Sequence, residues 1–507
     1  MPHLLYLAVA LVALSLFFGP ATSAEPAADL ELAPCPDDEA LQCGTLDVFE
    51  DRHRQQGRKI PLHVVVMPSR QGHDQPKGHS EASRSEDGQP GNTSDASVVN
   101  DRALFLLAGG PGVAATRWGP GFVTQVLDDL RDQWDIVLVD QRGTGQSNPL
   151  DCALYDADDP QSLWGDLLPP EAIQRCRRKL EERADLRFYG TALAVDDLDD
   201  VRSALGYSKI DLYGSSYGSQ VALVYLRRHP QRLRSVVLQG VAPTTVRGLE
   251  EIPHVAQNAL EGLIALCNAD ERCREAYPEL EQELATVFMR LRDRPARVQM
   301  TPAGRETPVD LELTYDNFAL VLRGLLHHSP AAATIPRIVH AAANGDFEPF
   351  VRPSFGYRRS IATNIAFGMF LSVFCEEQVR RSDLAVAAAA AEESFVGHYW
   401  TEQMDRACGL WPHATLPPGH DQPVRSQVPV LLIAGGLDPA TPPRWARSAA
   451  ANLPRSLLLE VPHASHSFAG MAGCVDRAVV DFLKRGSAHG LETSCIDDLE
   501  PPVFAVP

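Results

Sequence analysis

The chain is short of positive charge. Its 507 residues hold 46 Lys and Arg against 66 Asp and Glu, a formal net charge of −20. A surface of that sign repels nucleic acid and anionic membranes, so neither is expected as a partner. No two cysteines stand in C-x-x-C spacing, which leaves a structural zinc site without its usual ligands. The glycine-rich loop at 109–112 lacks the Gly-Lys-Ser/Thr ending of a phosphate loop and the spacing of a dinucleotide fingerprint. No internal repeat is visible, and the amino-terminal apolar run, residues 4–18, is short for a membrane span. No metal, no cofactor and no stable membrane association is therefore expected.

What is present is ordinary for a soluble globular protein, 44% hydrophobic and 22% charged. The length exceeds one small core, so a large domain with an insertion, or two domains, is expected. Residues 1–24 combine that apolar run with Gly19-Pro20-Ala21-Thr22-Ser23-Ala24, where Thr22 and Ala24 fit the −3 and −1 positions of a cleavage site. A cleaved signal peptide and a secreted or periplasmic location are expected, the alternative being an uncleaved anchor. Ten cysteines, an even number, fit that compartment. They fall into close couples, Cys35/Cys43, Cys152/Cys176, Cys267/Cys273, Cys375/Cys408 and Cys474/Cys495, and neighbour-to-neighbour disulfides are expected, although spacing alone does not fix connectivity.

Residues 44–50 and 59–67 read as a strand hairpin. From 68 to 100 the composition turns to Ser, Gly, Asp, His and Gln, a long exposed loop expected to be disordered, with a sequon at Asn92. Apolar runs of buried-strand type follow at 103–107, 134–139, 209–213 and 235–239, alternating with helical stretches such as the acidic amphipathic one at 191–205. That alternation predicts an α/β fold, a mostly parallel sheet with helices on both faces. From about 246 to 420 the pattern is helical with little strand signal. Strand signals resume at 428–434 and 456–461, before a closing helix at 475–484. The expected organisation is a signal at 1–24, core at 25–245, an inserted helical cap at 246–420, and core again at 421–507.

The chemistry centres on Gly214-Ser215-Ser216-Tyr217-Gly218, at the junction of a strand and a helix. A turn that tight strains its central residue and lifts one hydroxyl, that of Ser216, out of the packed sheet. Without that context the pentapeptide would be a plain Gly/Ser turn. A serine hydroxyl needs a base within hydrogen-bond reach, itself oriented by a third group. Both are available in the order Ser…Asp…His: Asp438 in Gly435-Gly436-Leu437-Asp438-Pro439 after one strand, and a histidine in Pro462-His463-Ala464-Ser465-His466-Ser467 after the last. Asp438 also reads as a turn residue. Of the two histidines His466, deeper in the loop, is favoured over His463. Backbone N–H groups of Gly110 and of Tyr217 are the candidate oxyanion donors. Asp140 and Arg142 read as structural, holding a turn through an ion pair and backbone bonds.

Taken together, Gly-Gly-Pro-Gly at 109–112, Asp-Gln-Arg-Gly-Thr-Gly-Gln-Ser at 140–147, Gly-Ser-Ser-Tyr-Gly at 214–218, Gly-Leu-Asp-Pro at 436–439 and the late histidine carry a resemblance. The chain resembles α/β-hydrolase serine exopeptidases of the prolyl-aminopeptidase and tripeptidyl-aminopeptidase group, over most of 40–245 and 420–485. The resemblance implies the α/β-hydrolase fold, Ser216 as nucleophile, Asp438 as acid, His466 as base, and cleavage of peptides from the amino terminus. A free substrate ammonium calls for a carboxylate in the pocket. Glu376 and Glu377 are the candidates, Glu377 by the family's acidic position two residues after a cysteine; the alternative is a solvated helix face. Two rival functions stand beside the aminopeptidase: an esterase or lipase with the same triad, and a silent α/β-hydrolase fold used for binding.

Overall fold

The computed structural model describes residues 30–72, 102–156, 159–301, 307–467 and 472–507. The expected signal at 1–24 and most of the polar loop, with Asn92, lie outside the described residues. Eleven strands are described, in chain order β1 (Ala33–Pro34), β2 (Gln42–Phe49), β3 (Lys59–Met67), β4 (Ala103–Leu107), β5 (Asp135–Val139), β6 (Ile210–Ser215), β7 (Leu233–Gln239), β8 (Ala296–Met300), β9 (Val309–Leu313), β10 (Val430–Gly435) and β11 (Ser456–Val461). Nine form one sheet in the order β1-β2-β3-β5-β4-β6-β7-β10-β11. The first three pair antiparallel, β3 joins β5 antiparallel, and every pairing from β5 to β11 is parallel.

The uninterrupted apolar runs follow from burial on both faces. Phe105 and Leu107 of β4 point into the same apolar cluster as Val195 and Leu198 of helix Thr191–Ala204 and Val221 of helix Tyr217–Arg228. Leu104 and Leu106 point the other way, into a cluster with Val475, Val479 and Phe482 of helix Ala472–Arg485. Val430 and Leu432 against Leu431 and Ile433 repeat the alternation in β10.

Between β7 and β10 the chain leaves the sheet for a run of helices, from Gly248–Ala269 to Gly397–Gly409. It also holds an antiparallel hairpin of β8 and β9, which the sequence pattern had not indicated. Each strand has five residues, and only Val298, Leu311 and Leu313 are buried, too little apolar signal to stand out. Disulfides join each cysteine to its neighbouring couple: Cys35–Cys43, Cys152–Cys176, Cys267–Cys273, Cys375–Cys408 and Cys474–Cys495. Among the described residues no helix is long and apolar enough to cross a membrane.

Arg142, fully buried just after β5, does not pair with Asp140. It binds Asp197 through Nε (2.6 Å) and Nη2 (2.7 Å), and its Nη1 donates to the carbonyls of Glu50 (3.0 Å) and Phe188 (2.7 Å). Asp140 instead accepts from Thr116 N–H (3.0 Å) and Gln146 N–H (3.0 Å). The two side chains thus fix the turn at 140–147 against different neighbours.

Candidate active site

Ser216 lies between β6 and helix Tyr217–Arg228 with φ 56° and ψ −123°, a strained backbone for any residue with a side chain. The helix is pressed so close that a Cβ on Gly214 would collide with the Gly218 carbonyl, and one on Gly218 with the Leu107 carbonyl of β4. The Ser216 N–H donates to the Gln239 carbonyl at the end of β7 (2.8 Å). Ser219 Oγ lies within hydrogen-bond distance of both the Ser216 carbonyl (2.5 Å) and the Gly240 carbonyl (3.2 Å). The strained turn is therefore fastened to the chain leaving β7.

Asp438 follows β10 and His466 follows β11. Asp438 Oδ2 accepts from His466 Nδ1 at 2.7 Å and from Thr441 Oγ1 at 2.6 Å, while Oδ1 accepts from the N–H groups of Ala440 (2.7 Å) and Thr441 (2.8 Å). Burial alone would raise this carboxyl's pKa, but the attraction of His466 and the hydrogen bonds from His466 and Thr441 outweigh it and hold Asp438 well below the usual range. Facing a carboxylate, Nδ1 of His466 carries the proton, which leaves Nε2 as the acceptor. A Cβ built on Gly240 would stand 3.0 Å from His466 Cε1. The imidazole thus sits over Gly240, just past the end of β7. His463, half-buried on the same loop, takes no part in the Asp438 contact.

On the other flank a Cβ on Gly109 would lie 3.0 Å from Ser216 Cβ and 3.5 Å from its Oγ, so the glycine loop borders the hydroxyl. Neither the N–H of Gly110 nor that of Tyr217 is spent on a backbone acceptor among the described residues. Among those residues, no group of three or more His, Cys, Asp or Glu is placed to hold a metal ion.

The insertion adds side chains that sequence reasoning missed. The turn after helix Tyr315–Leu325 brings the His327 ring edge-on to that of His466, centroids 5.5 Å apart. Ser467 N–H donates to the His327 carbonyl (2.9 Å), and Ser465 N–H to Ser329 Oγ (3.1 Å), so the insertion holds the histidine loop. Burial, with the nearby Arg323 and His466, keeps His327 well below the usual histidine range and hence neutral. Thr441 was legible in principle, as the third residue after Asp438 in an aspartate-led turn. His327 was not, because only the folded chain brings it there.

Residues 102–293 match the alpha/beta hydrolase fold family, and residues 393–495 match the family described as TAP-like protein. The chain has the α/β-hydrolase fold. YuaR of Escherichia coli (strain K12) is 26% identical over 406 residues, 75% of this chain and 77% of that protein. Serine protease Hip1 of Mycobacterium tuberculosis (strain ATCC 25618 / H37Rv) is 27% identical over 187 residues, 34% of this chain and 36% of Hip1. Tripeptidyl aminopeptidase of Streptomyces lividans is 30% identical over 219 residues, 40% of this chain and 35% of that enzyme. The latter two matches span about a third of each relative.

In this α/β hydrolase both glutamates expected to meet a substrate ammonium already have protein partners. Glu377, 1% exposed, accepts from Thr191 N–H (2.8 Å) at Oε1, and from Thr191 Oγ1 (2.8 Å) and Gln220 Nε2 (2.5 Å) at Oε2. Glu376 pairs with Arg380 (2.9 Å) and accepts from Ala414 N–H (3.0 Å). Glu377 is thus held at both oxygens, whereas both contacts of Glu376 fall on Oε2.

Proposed function

We propose that the protein is an exported serine peptidase that cleaves short peptides near their free amino terminus through an acyl-enzyme, with Ser216, His466 and Asp438 as its triad. The observation that carries this reading is the 2.7 Å bond between His466 Nδ1 and Asp438 Oδ2, beside a serine strained at the head of a helix. His466 Nε2 accepts the Ser216 proton as Oγ attacks the scissile carbonyl. The ionised Asp438 stabilises the imidazolium so formed. The N–H groups of Gly110 and Tyr217 receive the negative charge on the carbonyl oxygen. His466 then returns the proton to the leaving amine, and water, activated by the same base, releases the acylated fragment from Ser216.

The peptide substrate is supported by the TAP-like stretch and by relatives named as a serine protease and a tripeptidyl aminopeptidase. Export is supported by five disulfides and by the apolar stretch ahead of residue 24. One observation favours the second reading, a carboxylic-ester hydrolase: Glu376 and Glu377 are both engaged internally, so neither supplies a ready anchor for an ammonium. Turnover of amino-free and amino-acetylated peptide chromogens, alongside simple esters, separates the two. The peptidase reading expects the free-amine peptides to lead, by an amount of order the 1.5–3 kcal/mol of a charge-assisted bond. Equal cleavage of free and acetylated peptides with faster ester turnover would hand the function to the esterase.

A further inference from the structure

Beside the helix that follows Ser216, two buried titratable groups from different segments meet. Glu377 ends helix Phe367–Glu377 of the insertion, and His420 lies on the return to β10. Helix Phe367–Glu377 is itself tied to helix Gly397–Gly409 by Cys375–Cys408. His420 is 3% exposed, its Nε2 has no hydrogen-bond partner among the described residues, and it stands 3.6 Å from Glu377 Oε2. Glu377 in turn grips the first turn of the helix that follows the nucleophile. It holds Gln220 directly, and it holds Thr191, whose Oγ1 lies 2.9 Å from the Tyr217 hydroxyl.

We propose that Glu377 and His420 hold one buried proton between them and act as the positioning pair for the Ser216–Tyr217 turn. The proposal rests on the reading of Ser216 as nucleophile and Tyr217 N–H as oxyanion donor. A protonated Glu377 needs an acceptor, and the unpartnered His420 Nε2 is the acceptor beside it. An ionised Glu377 would put a negative charge with no cation bonded to it near Tyr217, whose N–H must receive negative charge from the substrate oxygen. A neutral pair keeps the same hydrogen-bonded grip without opposing that charge. Burial pushes both groups toward their neutral forms, Glu377 up to about 7 and His420 down to about 4.

Of the surrounding charges, Arg381 attracts the Glu377 carboxylate and lowers its pKa, but by less than burial raises it. Arg381 donates to the Glu377 carbonyl (2.9 Å) and the Thr244 carbonyl (2.8 Å), not to the carboxylate. Arg227 donates to the His420 carbonyl (3.1 Å), Asp421 sits beside both arginines, and Arg247 and Glu250 lie beyond Arg381. Glu376 is occupied by Arg380. Tyr217 is held neutral, first by its burial and then by the proximity of Glu377.

The experiment measures kcat and KM against pH, on one simple ester and one peptide chromogen, for wild type, Glu377→Gln, Glu377→Ala and His420→Leu, with thermal melts to establish folding. Wild type is expected to lose kcat on the alkaline side of about pH 7 with KM little changed. Glu377→Gln has no proton to lose, so it should abolish the alkaline fall and keep at least about tenfold more kcat than Glu377→Ala. His420→Leu removes the acceptor and should move the fall to lower pH. An unchanged alkaline fall in folded Glu377→Gln, or Gln no better than Ala, would overturn the pair; if Ala does not fold, the Gln profile alone decides. Should Ser216→Ala stay active on both substrates, the nucleophile reading fails instead, and the two failures are thereby distinct.

Discussion

Two carboxylates in this molecule are almost equally buried and meet opposite fates. Asp438 and Glu377 are 3% and 1% exposed, and each accepts several hydrogen bonds. Burial raises the pKa of both, yet Asp438 ends far below the usual carboxylate range and Glu377 rises to about 7. The difference lies in the partner. Asp438 has an imidazole bonded at 2.7 Å, whereas the imidazole beside Glu377 stands 3.6 Å away and is itself kept neutral by burial. Neutral donors such as Thr191 and Gln220 offset only part of the cost of burying a charge. Burial and hydrogen-bond count therefore do not decide whether a buried acid works as an anion; a chargeable group in direct contact does.

The largest expected loss is at Ser216, the proposed nucleophile. Ser216→Ala should lower kcat by about 10⁶-fold, with a residual rate from oxyanion donors and binding alone. His466→Ala should come close to that loss, while His463→Ala, away from Asp438, should stay within about tenfold of wild type. The same chemical change at the two carboxylates sharpens the contrast. Asp438→Asn should cost about 10⁴-fold in kcat, since the amide no longer stabilises the imidazolium, and Glu377→Gln should cost far less.

Structural charge offers a third kind of site. Asp197→Ala would strand the fully buried Arg142 and should destabilise the fold by about 3–5 kcal/mol in chemical denaturation.

The smallest effect is on stability against pH, read in the inactive Ser216→Ala background. Glu377 has a folded pKa raised from 4.5 to about 7, so its contribution is present below about 4.5 and is lost as pH rises toward 7, by up to about 3 kcal/mol. Asp438 is depressed, so its contribution is present above its unfolded value near 3.8 and is lost as pH falls below it. Glu377→Gln should flatten the first slope and Asp438→Asn the second.

The parallel half of the sheet was legible because strands buried on both faces read as unbroken apolar runs, as in Leu104 to Leu107 and Val430 to Ile433. The proposed triad could be named from the sequence because Ser216, Asp438 and His466 lie on short motifs at strand ends, in a chain order that topology constrains. The hairpin of β8 and β9 was not, with so few buried side chains to mark it. Glu377 stood out in the sequence as a residue next to a cysteine-bearing helix end, but its direction did not. Whether a helix-terminal carboxylate faces a pocket or the core depends on Thr191, Gln220 and His420, which come from three other segments. His327 is hidden for the same reason. Contacts made where the insertion folds back on the sheet leave no periodic trace in either partner.

The most direct test labels the folded, active protein with a fluorophosphonate and maps the adduct by mass spectrometry of its peptides. One phosphonylated residue is expected, Ser216, labelled at a rate that falls steeply in Asp438→Asn and is lost in His466→Ala. An adduct on Ser215 or any other residue, or full hydrolytic activity with no adduct at all, would contradict it.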